Sequence, residues 1–155
     1  MMLLVLASLT VVLGQSPTLP ASRPDFSGSW TLDRTRSHTA ESITLEIKQT
    51  ESEISIETTS AGKASKRTYP FEVSKHSASE TITAGHTHAS WDGLNLVTEL
   101  VADISGQTVS YRQLRYLNAS RTEMTVETIA IVQHGYSIKG GKNYSTAKDV
   151  YVRSK

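Results

Sequence analysis

The sequence predicts an all-β protein, a single antiparallel up-and-down β-barrel of about eight to ten strands. Three observations support this fold class. Apolar and polar residues alternate with a period of two over most of the chain after Phe26. Turn-forming residues, mainly Asp, Asn, Ser and Gly, separate the alternating runs. No window of helical length shows a period of 3.6 residues, so we expect no long helix.

The alternating runs define the candidate strands. In the clearest of them, Ile43, Leu45 and Ile47 alternate with polar residues. A meander of this length leaves two bare sheet edges unless its first and last strands meet, so we expect it to close into a barrel. A barrel of about eight strands is just wide enough for its own side chains or for one small ligand. The candidate strands are 28–33, 42–50, 53–59, 66–74, 79–84, 86–91, 94–102, 107–117, 121–133 and 147–154.

Short turns are expected between these strands. Asp92-Gly93 is the strongest of them, because both central residues of a type I′ turn need a positive φ. Trp91 is then placed at the end of an inward-facing strand. Residues 34–41 and 133–146 are expected to form irregular segments. The remaining turns are expected at 50–53, 60–63, 105–106 and 118–120.

Length and composition exclude several classes of protein. The 155 residues fit one domain. The formal net charge is +1, which argues against a nucleic-acid-binding protein with a basic stripe. The chain has no cysteine, which excludes a disulfide scaffold and thiolate chemistry.

The N-terminus indicates export. Met1 to Leu13 is a long apolar run, yet it falls short of the roughly 20 residues that span a bilayer. The small residues Gly14 and Ser16 follow it, as in a secretory signal. We therefore predict a signal peptide over 1–16, a flexible leader over 17–25 and the barrel domain over 26–155. The mature protein is expected to be periplasmic or secreted, with no membrane span.

Neither a catalytic residue nor a cofactor is predicted. The chain has no Gly-x-Ser-x-Gly elbow, no His-Glu-x-x-His and no Walker loop. His86 and His88 share one face of a strand, which is how two imidazoles grip a metal. Their parity is opposite to that of Trp91, however, so an inward Trp91 places both histidines towards water. With no third ligand in view, we predict a surface pair and no metal site.

A polar strand near the middle of the chain carries the candidate ligand site. Tyr111, Gln113 and Arg115 share one face with Val109, and an apolar start to that face favours the barrel interior. A guanidinium there can hold the carboxylate of an amphiphile through a bidentate, charge-assisted bond. The alternative interpretation is a solvated face whose long stems cover apolar neighbours.

Three short motifs carry a resemblance to a known superfamily. They are Gly28-Ser29-Trp30, Trp91-Asp92-Gly93 with the leucines that follow, and Tyr151-Val152-Arg153. From Phe26 to Arg153 the chain resembles the calycins, the superfamily of lipocalins and fatty-acid-binding proteins. More narrowly, it is similar to small exported lipocalin-like proteins of bacteria.

The resemblance implies a closure contact. In calycins an arginine of the last strand covers the tryptophan of the first strand, and the matching positions are Trp30 and Arg153. The order of the chain supports the same pairing, because closing a meander makes its first and last strands neighbours. A guanidinium over an indole is a favourable cation–π contact.

The predicted function is non-covalent binding of a small hydrophobic or amphiphilic molecule by a monomer. Only two tryptophans and two phenylalanines are present, which favours an open interior. One alternative is a non-enzymatic envelope or protein-interaction module whose barrel is filled by its own side chains. A second alternative is an isomerase or hydrolase that works at the barrel mouth. The fold alone does not choose between these functions.

Overall fold

The computed structural model describes residues 22–71, 85–104, 106–132 and 143–154, and within them every regular element is a β-strand. Strands of this sequence form because the period-two runs place one face of each strand in a common core. The nine strands are β1 (Gly28–Leu32), β2 (Ile43–Gln49), β3 (Glu53–Ser60), β4 (Lys63–Pro70), β5 (Thr87–Asp92), β6 (Asn95–Ile104), β7 (Gln107–Leu117), β8 (Glu123–Val132) and β9 (Tyr144–Arg153).

All strand pairs are antiparallel, and the sheet runs in the order β4-β3-β2-β1-β9-β8-β7-β6-β5. The first and last strands pair, with Trp30 opposite Arg153. The two ends of the sheet, β4 and β5, come together through a single bridge between Phe71 and Ala89. The Thr87 hydroxyl also donates to the Thr68 carbonyl at 2.9 Å. The barrel is therefore nearly closed, which confirms the predicted fold class.

The core is concentrated at the end of the barrel where β1 begins. Phe26 and Trp30 are fully buried there. The alternation of β2 and β3 places Ile47 and Ile54 beside them, also with 1% exposure or less. Trp91 points into the same cluster and stacks on Phe71 with ring centroids 5.6 Å apart, so its inward orientation is confirmed. We call this the closed end of the barrel.

Two strands begin three residues before their predicted positions. β4 begins at Lys63, because Ala61 and Gly62 both take a positive φ and reverse the chain in a two-residue turn. The exposed run that follows hides this strand from a search for alternation. β9 begins at Tyr144, which pairs with Ile131. The predicted strand 79–84 lies outside the described residues, as does the end of 66–74.

The Asp92-Gly93 turn was predicted one residue too early. Asp92 pairs with Asn95, so Gly93 and Leu94 are the two loop residues. Gly93 has a φ of +61°, while Asp92 and Leu94 do not have positive values, and the predicted type I′ turn is wrong. Leu94 lies in the loop with 51% exposure, although the predicted strand 94–102 began with it.

Replacing Gly93 with valine should lower the free energy of unfolding by about 1–3 kcal/mol, because a β-branched residue is strained at this φ. The measurement is the melting temperature of each protein. Leu94→Val is the matched control, since the neighbouring position has no positive φ and is exposed; its melting temperature should not change. An unchanged melting temperature for Gly93→Val would contradict the turn geometry.

The end of the predicted leader contacts the closed end. The Gln49 side chain donates to the Pro24 carbonyl at 3.1 Å. The Arg23 guanidinium carbon lies 5.3 Å from the centre of the Trp91 ring. The predicted signal peptide, residues 1–16, lies outside the described residues. Among the residues that the structure does describe, none belongs to a helix long and apolar enough to cross a membrane.

Candidate ligand-binding site

A polar cluster around Arg115 lies inside the barrel. Arg115 is on the face of β7 that also carries Gln113, and its side chain is 3% exposed. Register explains the burial, because Arg115 is opposite Leu96 on β6 and Val126 on β8, both of which belong to the core. Arg115 therefore lies in the interior, on the face of β7 that the alternation predicted to be inward.

Arg115 lies in one cross-strand row with Leu96 and Val126. Its guanidinium points towards the next row, away from the closed end. One terminal nitrogen donates to the Thr98 hydroxyl at 2.6 Å, and the other donates to the Gln113 side-chain oxygen. Gln113 in turn donates to the Thr128 hydroxyl at 3.1 Å. Thr98, Gln113 and Thr128 are paired across β6, β7 and β8, and we call these three residues the polar belt.

Arg115 is only partly satisfied by these contacts. Its Nε is buried and has no hydrogen-bond partner among the residues that the structure describes. Among the described residues no carboxylate forms an ion pair with it. Burial lowers the pKa of Arg115 to about 10, which leaves the guanidinium protonated at neutral pH. The interior therefore holds a full positive charge for which the described part of the chain supplies no counter-ion.

Two tyrosines lie close enough to Arg115 to interact with it electrostatically. They are Tyr69 on β4 and Tyr151 on β9, each 6% exposed. Burial raises the pKa of Tyr151 to about 12, and the negative charge of Asp149 adds to this rise. The Tyr151 phenol is therefore neutral at physiological pH and able to donate a hydrogen bond.

The buried carboxylate of Asp149 is committed elsewhere. One oxygen accepts from the Thr39 backbone N–H and the other from the Thr39 hydroxyl, both at 2.9 Å. The segment between β1 and β2 runs beside β9, where His38 N–H donates to the Lys148 carbonyl. Asp149 thus fastens this segment to β9, and its negative charge is not paired with Arg115.

The structure brings the three predicted ligand residues to one face of β7. Gln113 contacts Arg115 directly, while Tyr111 lies one row further from the closed end, opposite Leu100 and Ala130. A ligand contact by any of the three stays a prediction. Sequence reasoning missed four of their neighbours, which come from other strands and become neighbours only through the register: Tyr69, Thr98, Thr128 and Tyr151.

The predicted closure pair is in contact. The Arg153 guanidinium carbon lies 4.2 Å from the centre of the Trp30 ring. Arg153 also donates to the Ser27 carbonyl at 2.6 Å and to the Arg121 carbonyl at 3.1 Å. Gly28 makes room for this arginine, because a Cβ there would lie 2.7 Å from its terminal nitrogen and φ is +124°. The contribution of the pair to stability stays a prediction.

His88 lies on the outer face of β5, and His86 directly precedes this strand. His86 is exposed as predicted, whereas the His88 side chain is only 17% exposed because it packs beside Glu99. The His88 Nε2 is 2.9 Å from a Glu99 oxygen, and Arg112 reaches the other oxygen of Glu99 at 3.0 Å. The two imidazole centroids are 5.5 Å apart. In the described part of the chain, no three side chains of the metal-ligating types converge on one point.

The fold and the interior cluster define the chain as a nearly closed antiparallel β-barrel with a buried arginine that pairs with no carboxylate among the described residues. No protein-family model matches the chain, and no curated protein sequence is similar enough to count as a relative. The similar solved structures are therefore similar in fold alone.

Three of these structures illustrate the likeness, and each alignment covers 83% of this chain. The fluorescent protein UnaG is 13% identical, with 97% of its chain covered and a TM-score of 0.48. Lipid binding protein 8 of Caenorhabditis elegans is 13% identical, with 95% covered and a TM-score of 0.40. A protein described as the REP1-NXSQ fatty acid transporter is 14% identical, with 96% covered and a TM-score of 0.39.

Proposed function

We propose that the protein is an exported binding protein that holds a small amphiphilic carboxylate non-covalently inside its barrel. The observation that carries the proposal is the buried guanidinium of Arg115, whose Nε has no partner and which no carboxylate neutralises among the described residues. A buried charge is costly unless it is paired. A ligand carboxylate would supply both the missing charge and the missing acceptor.

The geometry of Arg115 suits such a ligand. An arginine binds a carboxylate side-on through Nε and one terminal nitrogen, in a bidentate arrangement. The neutral Tyr151 phenol is close enough to affect the charge of Arg115 and can add a third donor. Strand β4 carries three cations, Lys63, Lys66 and Arg67, and no carboxylate. Their positive charge favours the approach of an anion.

The packing of the interior supports a binding protein over a module with a filled barrel. Most inward residues of the closed end are fully buried, whereas most of those beyond the polar belt on β6, β7 and β8 are only partly buried. Leu100, Tyr111 and Ala130 belong to this second group. This half is therefore packed less completely than the closed end, which supports an interior that admits a ligand.

A comparison of a free acid with its methyl ester tests the proposed function. We expect the protein, freed of ligand by unfolding and refolding, to bind decanoic acid at least about 30-fold more tightly than methyl decanoate, because the ester cannot pair with Arg115. Isothermal titration calorimetry measures both affinities. Equal affinities would exclude a carboxylate as the recognised group, and binding of neither would exclude this ligand class.

Export is the second part of the proposal and rests on the apolar run before residue 14. We expect the mature protein from its own host to begin between Gly14 and Ser22. Intact mass measurement of protein from the separated envelope and cytoplasmic fractions checks this. Protein that retains Met1 and remains in the cytoplasmic fraction would contradict export and leave the binding proposal untouched. Native mass spectrometry of the same sample would reveal a small molecule that co-purifies.

A further inference from the structure

The interior of the barrel is divided into a filled half and an open half. Six apolar side chains at the closed end have less than 2% exposure. Together they prevent a ligand from entering the barrel at this end. Leu96 is one of them, and it lies one row below Thr98 of the polar belt on the same strand. The six are Trp30, Phe26, Ile47, Ile54, Leu96 and Met124.

The polar belt is the boundary between the two halves. The backbone of Arg115 lies two residues along β7 from Gln113, on the side of the closed end. Its terminal nitrogens extend to the polar belt and donate to Thr98 and Gln113. A carboxylate bound to this guanidinium therefore sits at the level of the belt. Because the filled half lies directly below, the rest of the ligand must extend away from the closed end.

The open half is short. On β7 the last buried residue of this inward face is Val109, four residues before Gln113, and Gln107 beyond it is exposed. Four residues of strand measure about 13 Å. With the usual strand tilt of roughly 35–45°, this distance is about 10 Å along the barrel axis. On β6, β7 and β8 its wall is formed by apolar or small side chains and one tyrosine, namely Leu100, Ala102, Val109, Tyr111 and Ala130.

We infer that the barrel selects compact carboxylates, whose apolar body is about 10 Å long, roughly a chain of eight to ten carbons, and that it does not enclose a long-chain acid. This inference rests on the proposed function, since it takes the anchoring of a carboxylate at Arg115 as given. Carbons beyond this length reach past Val109 into water and add no buried contact.

The affinities of straight-chain acids from hexanoic to hexadecanoic acid test the inference. We expect the affinity to rise about fourfold for each added methylene up to about decanoic acid, and then to change less than about twofold through hexadecanoic acid. A continued rise to hexadecanoic acid would overturn the inference and leave the anchoring at Arg115 intact. Failure of every acid to bind more tightly than its methyl ester would instead overturn the proposed function.

A variant that shortens the open half sharpens this experiment. Ala130 faces the interior in the row that follows the polar belt. We call the chain length at which the affinity stops rising the plateau, and Ala130→Leu should move the plateau to acids about two to three carbons shorter. Ala119→Leu is the matched control, because the same change in the exposed turn between β7 and β8 should leave the plateau at decanoic acid. An unmoved plateau in a folded Ala130→Leu protein would contradict the inferred position of the ligand. The wild-type series decides the inference should that variant not fold.

Discussion

Replacing Trp30 with alanine should lower the free energy of unfolding by about 3–5 kcal/mol, measured by chemical denaturation. Trp30 is fully buried, and its ring fills the closed end between β2 and β9. Its truncation leaves a cavity that the rigid barrel cannot close. The indole N–H also donates to the Phe26 carbonyl at 3.0 Å, and Arg153 would lose the ring it covers.

The second tryptophan provides the control for this prediction. Trp91 is only partly buried and lies at the edge of the same cluster, so Trp91→Ala should cost less than Trp30→Ala. A larger loss at Trp91 would contradict the assignment of Trp30 as the anchor of the closed end. The part that Arg153 contributes can be isolated with a double-mutant cycle.

In that cycle, Trp30→Ala and Arg153→Ala should show a coupling energy of about 1–2 kcal/mol, the usual size of a partly desolvated cation–π contact. Arg153→Lys should restore only part of the stability, because an ammonium cannot reach the two carbonyls that the planar guanidinium bonds. Independent, additive effects of the two alanine changes would show that the contact does not stabilise the barrel.

The fold was predictable because its signal is local. Period-two alternation in residues such as Leu45 and Ile47 reports directly which strand face is buried. Strand order was predictable too, since short turns make sequential strands neighbours and leave β1 and β9 to pair. The run 63–68 gave no such signal, because β4 lies at the edge of the sheet and all six side chains are exposed. The Gly93 turn was misplaced because the pairing of Asp92 with Asn95 depends on register, which neighbouring residues do not report.

The candidate site was predictable only in part. The parity of β7 placed Arg115 inside, yet the partners of Arg115 come from other strands. Thr98 is an ordinary strand residue in sequence and becomes a partner only because β6 and β7 pair in this register. The role of Asp149 was invisible for the same reason, since its partner Thr39 is 110 positions away. Contacts set by register between distant segments need the structure.

Replacing Arg115 with leucine should weaken the binding of decanoic acid about 30- to 1,000-fold, equal to about 2–4 kcal/mol. The leucine removes the only buried cation among the described residues, and with it the proposed partner of the carboxylate. The fold should persist, because exchanging a buried, unpaired charge for an apolar side chain offsets the loss of the bonds to Thr98 and Gln113. Titration calorimetry at neutral pH gives the affinity, and a thermal melt confirms folding.

Arg112 offers the matched control on the same strand. It faces outwards, its side chain is 52% exposed, and its Nε pairs with Glu99 on the outer surface. Arg112→Leu therefore changes the net charge as much as Arg115→Leu does while leaving the interior unchanged, and its affinity for decanoic acid should stay within about twofold of the wild type. Equal losses in the two variants would show that the acid is attracted by overall charge. Unchanged binding in a folded Arg115→Leu protein would place the carboxylate away from the polar belt.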